Sequence, residues 1–82
     1  MKSELLLSNV NDGETVIVND IIDSDLKVKL FEMGILNGKE LTVLFRAPLG
    51  DPLAIDVQGY TLSLRKDEAC LISVAVINPG ES

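Results

Sequence analysis

Two hydrophobic periods run along this chain. Leu41, Val43, Phe45 and Ala47 alternate with Thr42, Leu44 and Arg46; Leu53, Ile55 and Val57 alternate with Ala54 and Asp56; Tyr60, Leu62 and Leu64 alternate with Thr61, Ser63 and Arg65. A period of two places one apolar row on one face of an extended chain, so each run predicts a strand. Residues 15–19, rich in β-branched side chains, predict an earlier strand, and the nearly continuous apolar run 70–77 a final one. Between the first and second strands the period changes. Leu26, Leu30 and Met33 stand at the i, i+4, i+7 spacing of one helical face. The pattern predicts a helix of about two to three turns, with Asp23 or Ser24 as its N-cap. Gly34 follows at once and supplies the left-handed residue that ends a helix.

Turn chemistry separates these elements. Asp12-Gly13 and Leu36-Asn37-Gly38 are turns, and Gln58-Gly59 sits in a two-residue hairpin position where Gly59 supplies positive φ. Pro48, Gly50, Asp51 and Pro52 interrupt the apolar alternation. Proline has no donor N–H and belongs at strand ends, so residues 48–52 read as a hairpin loop with Gly50-Asp51 in its turn. Leu5-Leu6-Leu7 reads as a lead-in segment, compatible with one helical turn that Ser8 caps. Residues 66–69 read as one short turn, helical or not, and residues 78–82 as a loose tail.

The expected architecture is mainly β: a small SH3-like barrel of about five strands with one short α-helix between the first and second. An OB-like barrel and a split α+β sandwich are the alternatives. At 82 residues there is room for a single domain, spanning residues 1–82. A chain of this size buries roughly 60–65% of its unfolded surface, so the core is thin. Aromatic residues make up 4% of the chain, so that core is aliphatic, with two of the three aromatics expected inside it.

Charge narrows the function classes. The net charge of −6 opposes nucleic-acid binding and adsorption to an anionic membrane, both of which need a concentrated positive face. Arg46, Arg65 and Lys66 remain as a small local patch. Cys70 is the one cysteine, which fits a reducing compartment; it is expected to be buried and inert. The amino-terminal apolar run is too short for a leader or a membrane span, so a cytoplasmic protein is expected.

Catalysis finds little support. The chain has no histidine, the commonest general base, and Asp67 and Glu68 read as an adjacent, solvated carboxylate pair. Gly34, Gly38, Gly50 and Gly59 are scattered over separate turns rather than gathered in a phosphate loop. Asp20, Asp23 and Asp25 offer at most a weak site for a hard divalent ion and otherwise read as solvated acids at a helix start. No cofactor is expected. A docking module is left, with Leu49 in the loop as an apolar contact and Arg46, Arg65 and Lys66 to meet acids on a partner. Phe31, off the helix stripe, is either core or a second apolar contact.

Five features together carry a family resemblance: Met33-Gly34, Asn37-Gly38, the hexapeptide Ala47-Pro48-Leu49-Gly50-Asp51-Pro52, Gly59, and Leu64-Arg65-Lys66. With them the chain resembles the FeoA family of ferrous iron transport proteins over roughly residues 7–76. Two positions depart from the family pattern: Lys29 stands where arginine is common, and Asn37 where proline is. Lysine lacks the planar fork of arginine, whereas asparagine is itself a turn former. The resemblance implies a cytosolic accessory protein of bacterial ferrous iron uptake that is not an enzyme. Its partner would be the cytoplasmic, GTPase-containing part of a FeoB-type transporter, with weak self-association also open. The alternatives are a metal-responsive or dimerising module like the C-terminal domain of diphtheria-toxin-repressor-like regulators, or a weak divalent-metal binder.

Overall fold

The computed structural model describes residues 5–78. Six strands are present: β1 (Leu5–Leu6), β2 (Thr15–Ile21), β3 (Glu40–Arg46), β4 (Leu53–Val57), β5 (Tyr60–Leu64) and β6 (Ile72–Asn78). They form one antiparallel sheet in the order β1-β6-β2-β3-β4-β5. Helix α1 (Lys27–Glu32) lies between β2 and β3, and α2 (Lys66–Ala69) between β5 and β6.

The mainly β expectation and the placing of the helix hold, with corrections. Among the described residues there are six strands rather than five, because Leu5 and Leu6 pair with Val74 and Ser73 of β6. Ser8 does not cap a helix; it lies within the 3-10 turn Leu7–Asn9. Asn78 is not loose: it pairs with Thr15 and ends β6. The rest of the expected tail lies outside the described residues. Helix α1, at six residues, is shorter than two turns. Its start has no side-chain cap from Asp23 or Ser24. The Ser24 hydroxyl instead accepts from the Leu26 N–H at 3.1 Å, two residues ahead of the helix N-cap, Leu26.

The sheet curls because its register slips. Shifts fall between Val18 and Asp20, between Thr15 and Val16, and between Val43 and Phe45. Each adds a residue to one strand, and such bulges bend and twist a sheet. They also reset which side chains face inward. Val18 and Ile21, three apart, are both buried. In β3, Val43 faces the core, but after the slip Phe45 pairs with Ala54 and Arg46 with Leu53. Phe45 therefore turns outward, 60% exposed, and Arg46 turns toward the core side, half-buried. The alternation read from the sequence places Phe45 on the core face, and the bulge overturns it. Tyr60 is also on the rim, 47% exposed, so neither aromatic is core.

The core is aliphatic, as the composition implies. Leu30, Ile35, Leu41, Ile55, Leu64 and Ile72 are its largest fully buried side chains. Each contributes roughly 1.5–3 kcal/mol through removal from water. Leu30 and Ile35 also close α1. The Ile35 N–H donates to the Leu30 carbonyl at 3.0 Å and the Gly34 N–H to the Phe31 carbonyl at 3.0 Å, with Gly34 at φ +91°. This is the Schellman arrangement, and its usual apolar contact is the Leu30–Ile35 pair. At the other hairpin, Gln58 (φ +48°) and Gly59 (φ +114°) join Val57 to Tyr60 in the expected two-residue turn.

Candidate docking surface

The β3–β4 connection is built from short hydrogen bonds. Ala47 N–H donates to the Pro52 carbonyl at 3.0 Å, closing the hairpin. Gly50 N–H donates to the Ala47 carbonyl at 2.7 Å, so Pro48 and Leu49 occupy the centre of the turn. The turn thus sits two residues earlier than Gly50-Asp51. Gly50 then takes a positive φ, +89°, that a side chain would resist. The Asp51 carboxylate accepts from the Lys66 N–H at 3.0 Å and ties the loop to the start of α2. Held at both ends, the loop presents Leu49 at its tip, 96% exposed.

Cations gather around the foot of this loop. Arg46 donates from Nη2 to the Val10 carbonyl at 2.7 Å, and its Nη1 lies 3.5 Å from the Asp12 carboxylate. Arg46 and Lys66 line one pocket of about 190 Å³, together with Ser8, Gly50, Leu53 and Ala69. Arg65 lines a neighbouring cleft with Asp51, Pro52 and Ser63. Its 3.9 Å approach to Asp67 joins two exposed groups, so solvent screens it to little energetic effect. Phe31 stands elsewhere. It is 63% exposed and lines a separate groove with Asp20, Ile21, Lys27, Leu36 and Asn37. Of its two readings, the exposed one holds.

Two residues outside the loop have roles that the sequence reading misses. Glu68 is not solvated: it is 3% exposed, while Asp67 is exposed. Its carboxylate accepts from Lys29 Nζ at 2.6 Å and from the Arg65 N–H at 2.8 Å. The bond from Lys29 is the main force holding the Glu68 carboxyl below its ordinary range. Burial opposes it, and the Arg65 amide reinforces it. The pair joins α1 to α2 with the residue that stands where the family commonly has arginine. A glutamate three residues after a helix start is the available signal, since it can reach back to the N-cap N–H. Tyr60 is the other. Its hydroxyl donates to the Met33 carbonyl at 2.8 Å, satisfying one of the carbonyls left open at the end of α1.

The remaining candidates are dispersed. Asp20 Oδ1 accepts from the Ile21 N–H at 2.9 Å, and Asp23 and Asp25 are exposed. Among the described residues no three His, Cys, Asp or Glu side chains converge as metal ligands would. Cys70 is partly exposed rather than buried, follows α2 rather than heading β6, and its thiol lies 3.3 Å from the Asp67 carbonyl. No helix among the described residues is long and apolar enough to cross a membrane.

Comparison with known proteins gives the family context. A family profile described as the FeoA domain matches residues 5–76. A Porphyromonas gingivalis protein, described as an Fe(2+) transport protein A/Fe(2+) transporter FeoB fusion, is 32% identical over 73 residues; these cover 88% of this chain but only 9% of the fusion protein. The solution structure of a FeoA-like protein from Clostridium acetobutylicum superposes with a TM-score of 0.90 at 37% identity, covering 100% of this chain and 96% of that one. Stenotrophomonas maltophilia FeoA complexed with zinc, described as a prokaryotic SH3 domain protein, gives 0.75 at 25% identity over 87% and 89% of the two chains. The similarity supports an SH3-like description of the curled sheet. A manganese-dependent transcriptional repressor in complex with manganese gives 0.85 at 25% identity, over 94% of this chain and 38% of the repressor.

Proposed function

The chain belongs to the FeoA family, and from that premise we propose that it is a non-enzymatic, cytoplasmic accessory protein of bacterial ferrous iron uptake that docks on the cytoplasmic part of a FeoB-type transporter. The observation that carries this reading is the Porphyromonas gingivalis relative, in which transport protein A and FeoB are one polypeptide. Covalent linkage gives a high effective concentration to a contact that a separate chain must form by affinity. Docking uses the loop face. Leu49 is the apolar anchor, on a loop whose two prolines and three hydrogen bonds reduce the entropy lost on binding. Arg46, Arg65 and Lys66 set approach and register against acids of the transporter. Phe31, in its separate groove, is a second apolar contact of lesser weight.

Co-purification tests the reading. A tagged chain should retain the transporter from gently solubilised membranes, and Leu49→Asp should lose it. Equal retention by both, or none by either, would count against docking through this face.

A second reading is favoured by the superposition on the manganese-dependent repressor. In it, the chain is a metal-responsive or dimerising module, or a weak divalent-metal binder. Titrating Fe(II) or Mn(II) into the pure protein separates the two. The docking reading expects no heat and no change in sedimentation at micromolar metal.

A further inference from the structure

We propose that the pocket at the foot of the 48–52 loop is a carboxylate site, and that it receives an aspartate or glutamate side chain of the docking partner beside the Leu49 contact. The partner half of this inference rests on the docking reading; the pocket itself does not.

The first argument is charge. The chain carries −6 overall, yet Arg46 and Lys66 line the same small pocket. The Lys66 ammonium makes no ion pair among the described residues; only its backbone N–H is engaged, by Asp51. Arg46 spends one donor on the Val10 carbonyl and faces Asp12 at 3.5 Å with another nitrogen. A guanidinium has five N–H groups, so donors remain. Asp12 offsets part of the Arg46 charge from the solvent side, and Asp51 part of the field at Lys66. Of the two cations, Lys66 is left without an ion-paired carboxylate among the described residues.

The second argument is preorganisation. The register slip in β3 turns Arg46 inward, and the 2.7 Å bond to Val10 fixes its fork. A planar fork held in place matches a carboxylate with little further loss of freedom. Ser8 adds a hydroxyl that makes no hydrogen bond within the described residues. Leu53 and Ala69, both buried, wall the pocket with apolar surface. That surface lowers the local dielectric and suits the methylene stem of an acidic side chain.

The third argument is size. About 190 Å³ exceeds a water's share of liquid volume, about 30 Å³, several times over. It falls short of the roughly 300–1,000 Å³ of pockets that enclose drug-sized ligands and cofactors. A single side chain fits; a nucleotide does not.

The free protein gives the first test. Isotope-labelled protein is titrated with sodium acetate against sodium chloride at equal ionic strength, and separately with inorganic phosphate. The expected result is saturating amide shifts at Ser8, Gly50 and Ala69 with acetate. These should vanish in Lys66→Glu, whose melting temperature should stay that of wild type. Shifts that never saturate, or that persist in Lys66→Glu, would overturn the site. Saturation by phosphate alone would overturn the carboxylate assignment. The second test is binding to the purified cytoplasmic part of the transporter, which Lys66→Glu should weaken roughly tenfold, with a shallower salt dependence. Acetate binding with unaltered transporter affinity in Lys66→Glu would overturn the partner half alone. Acetate binding with no transporter binding by wild type would locate the failure in the docking reading instead.

Discussion

The Tyr60 hydroxyl occupies the space that a β-carbon on Gly34 would need. The same hydroxyl donates to the Met33 carbonyl. One glycine therefore meets two demands: a left-handed backbone at the end of α1, and close approach of a ring from β5. Gly34→Ala should cost about 1–2 kcal/mol from the backbone conformation, and more from the contact. In a domain of this size each kcal/mol lowers the melting temperature by about 4–8 °C. Tyr60→Phe should cost about 1 kcal/mol through the lost hydrogen bond. The double variant should lose less than the sum, because removing the hydroxyl makes room for the new methyl. Strict additivity in thermal melts would contradict the contact.

Glu68 should shape the acid limb of the stability curve. Its carboxyl is held below the ordinary range, chiefly by Lys29. A carboxyl with a lowered folded-state pKa stabilises the fold above the unfolded value, about 4.3 for glutamate. That contribution fades as pH falls from there through the folded pKa. Glu68→Gln should therefore flatten the loss of stability below about pH 4.3. Lys29→Ala should move the Glu68 carboxyl back toward its ordinary range, and Lys29→Arg should not. Titration of the Glu68 side-chain carboxyl carbon by NMR reads this directly.

Arg46 has a structural task beside its proposed binding task. Arg46→Ala removes the charged donor on the Val10 carbonyl and should destabilise by about 1–2 kcal/mol. Chemical denaturation would register this as a lower midpoint with an unchanged slope. A midpoint equal to that of wild type would mean that solvent replaces the bond without loss. For this reason the exposed residues Leu49 and Lys66 are better probes of docking than Arg46.

Leu49 should be nearly silent in folding. At 96% exposure its change to Asp should alter stability by less than about 0.5 kcal/mol. Unfolding of Leu49→Asp would contradict the exposed placing of the loop tip.

The legible part of the fold is the part governed by local chemistry. Period-two alternation locates β3, β4 and β5, and glycine locates the end of α1 and the β4–β5 turn, because these signals act within a few residues. What escapes is set by pairing between distant segments. The slip after Val43 that exposes Phe45 and turns Arg46 inward depends on the partner strand β4. The two-residue strand β1 exists only because β6 offers an edge. Glu68 looks solvated beside Asp67, and the arrival of Lys29, 39 residues away, supplies the charge that offsets its burial. Among the candidate docking residues, Leu49 is readable from turn chemistry alone. The shared pocket of Arg46 and Lys66 needs the loop and α2 to meet.

Calorimetric titration of the purified cytoplasmic part of a FeoB-type transporter with this protein and with Leu49→Asp tests docking most directly. Saturable binding by wild type, weakened at least about tenfold in a variant that melts like wild type, is the expected result. Equal binding by both proteins, or no binding by wild type, would contradict docking through the 48–52 loop.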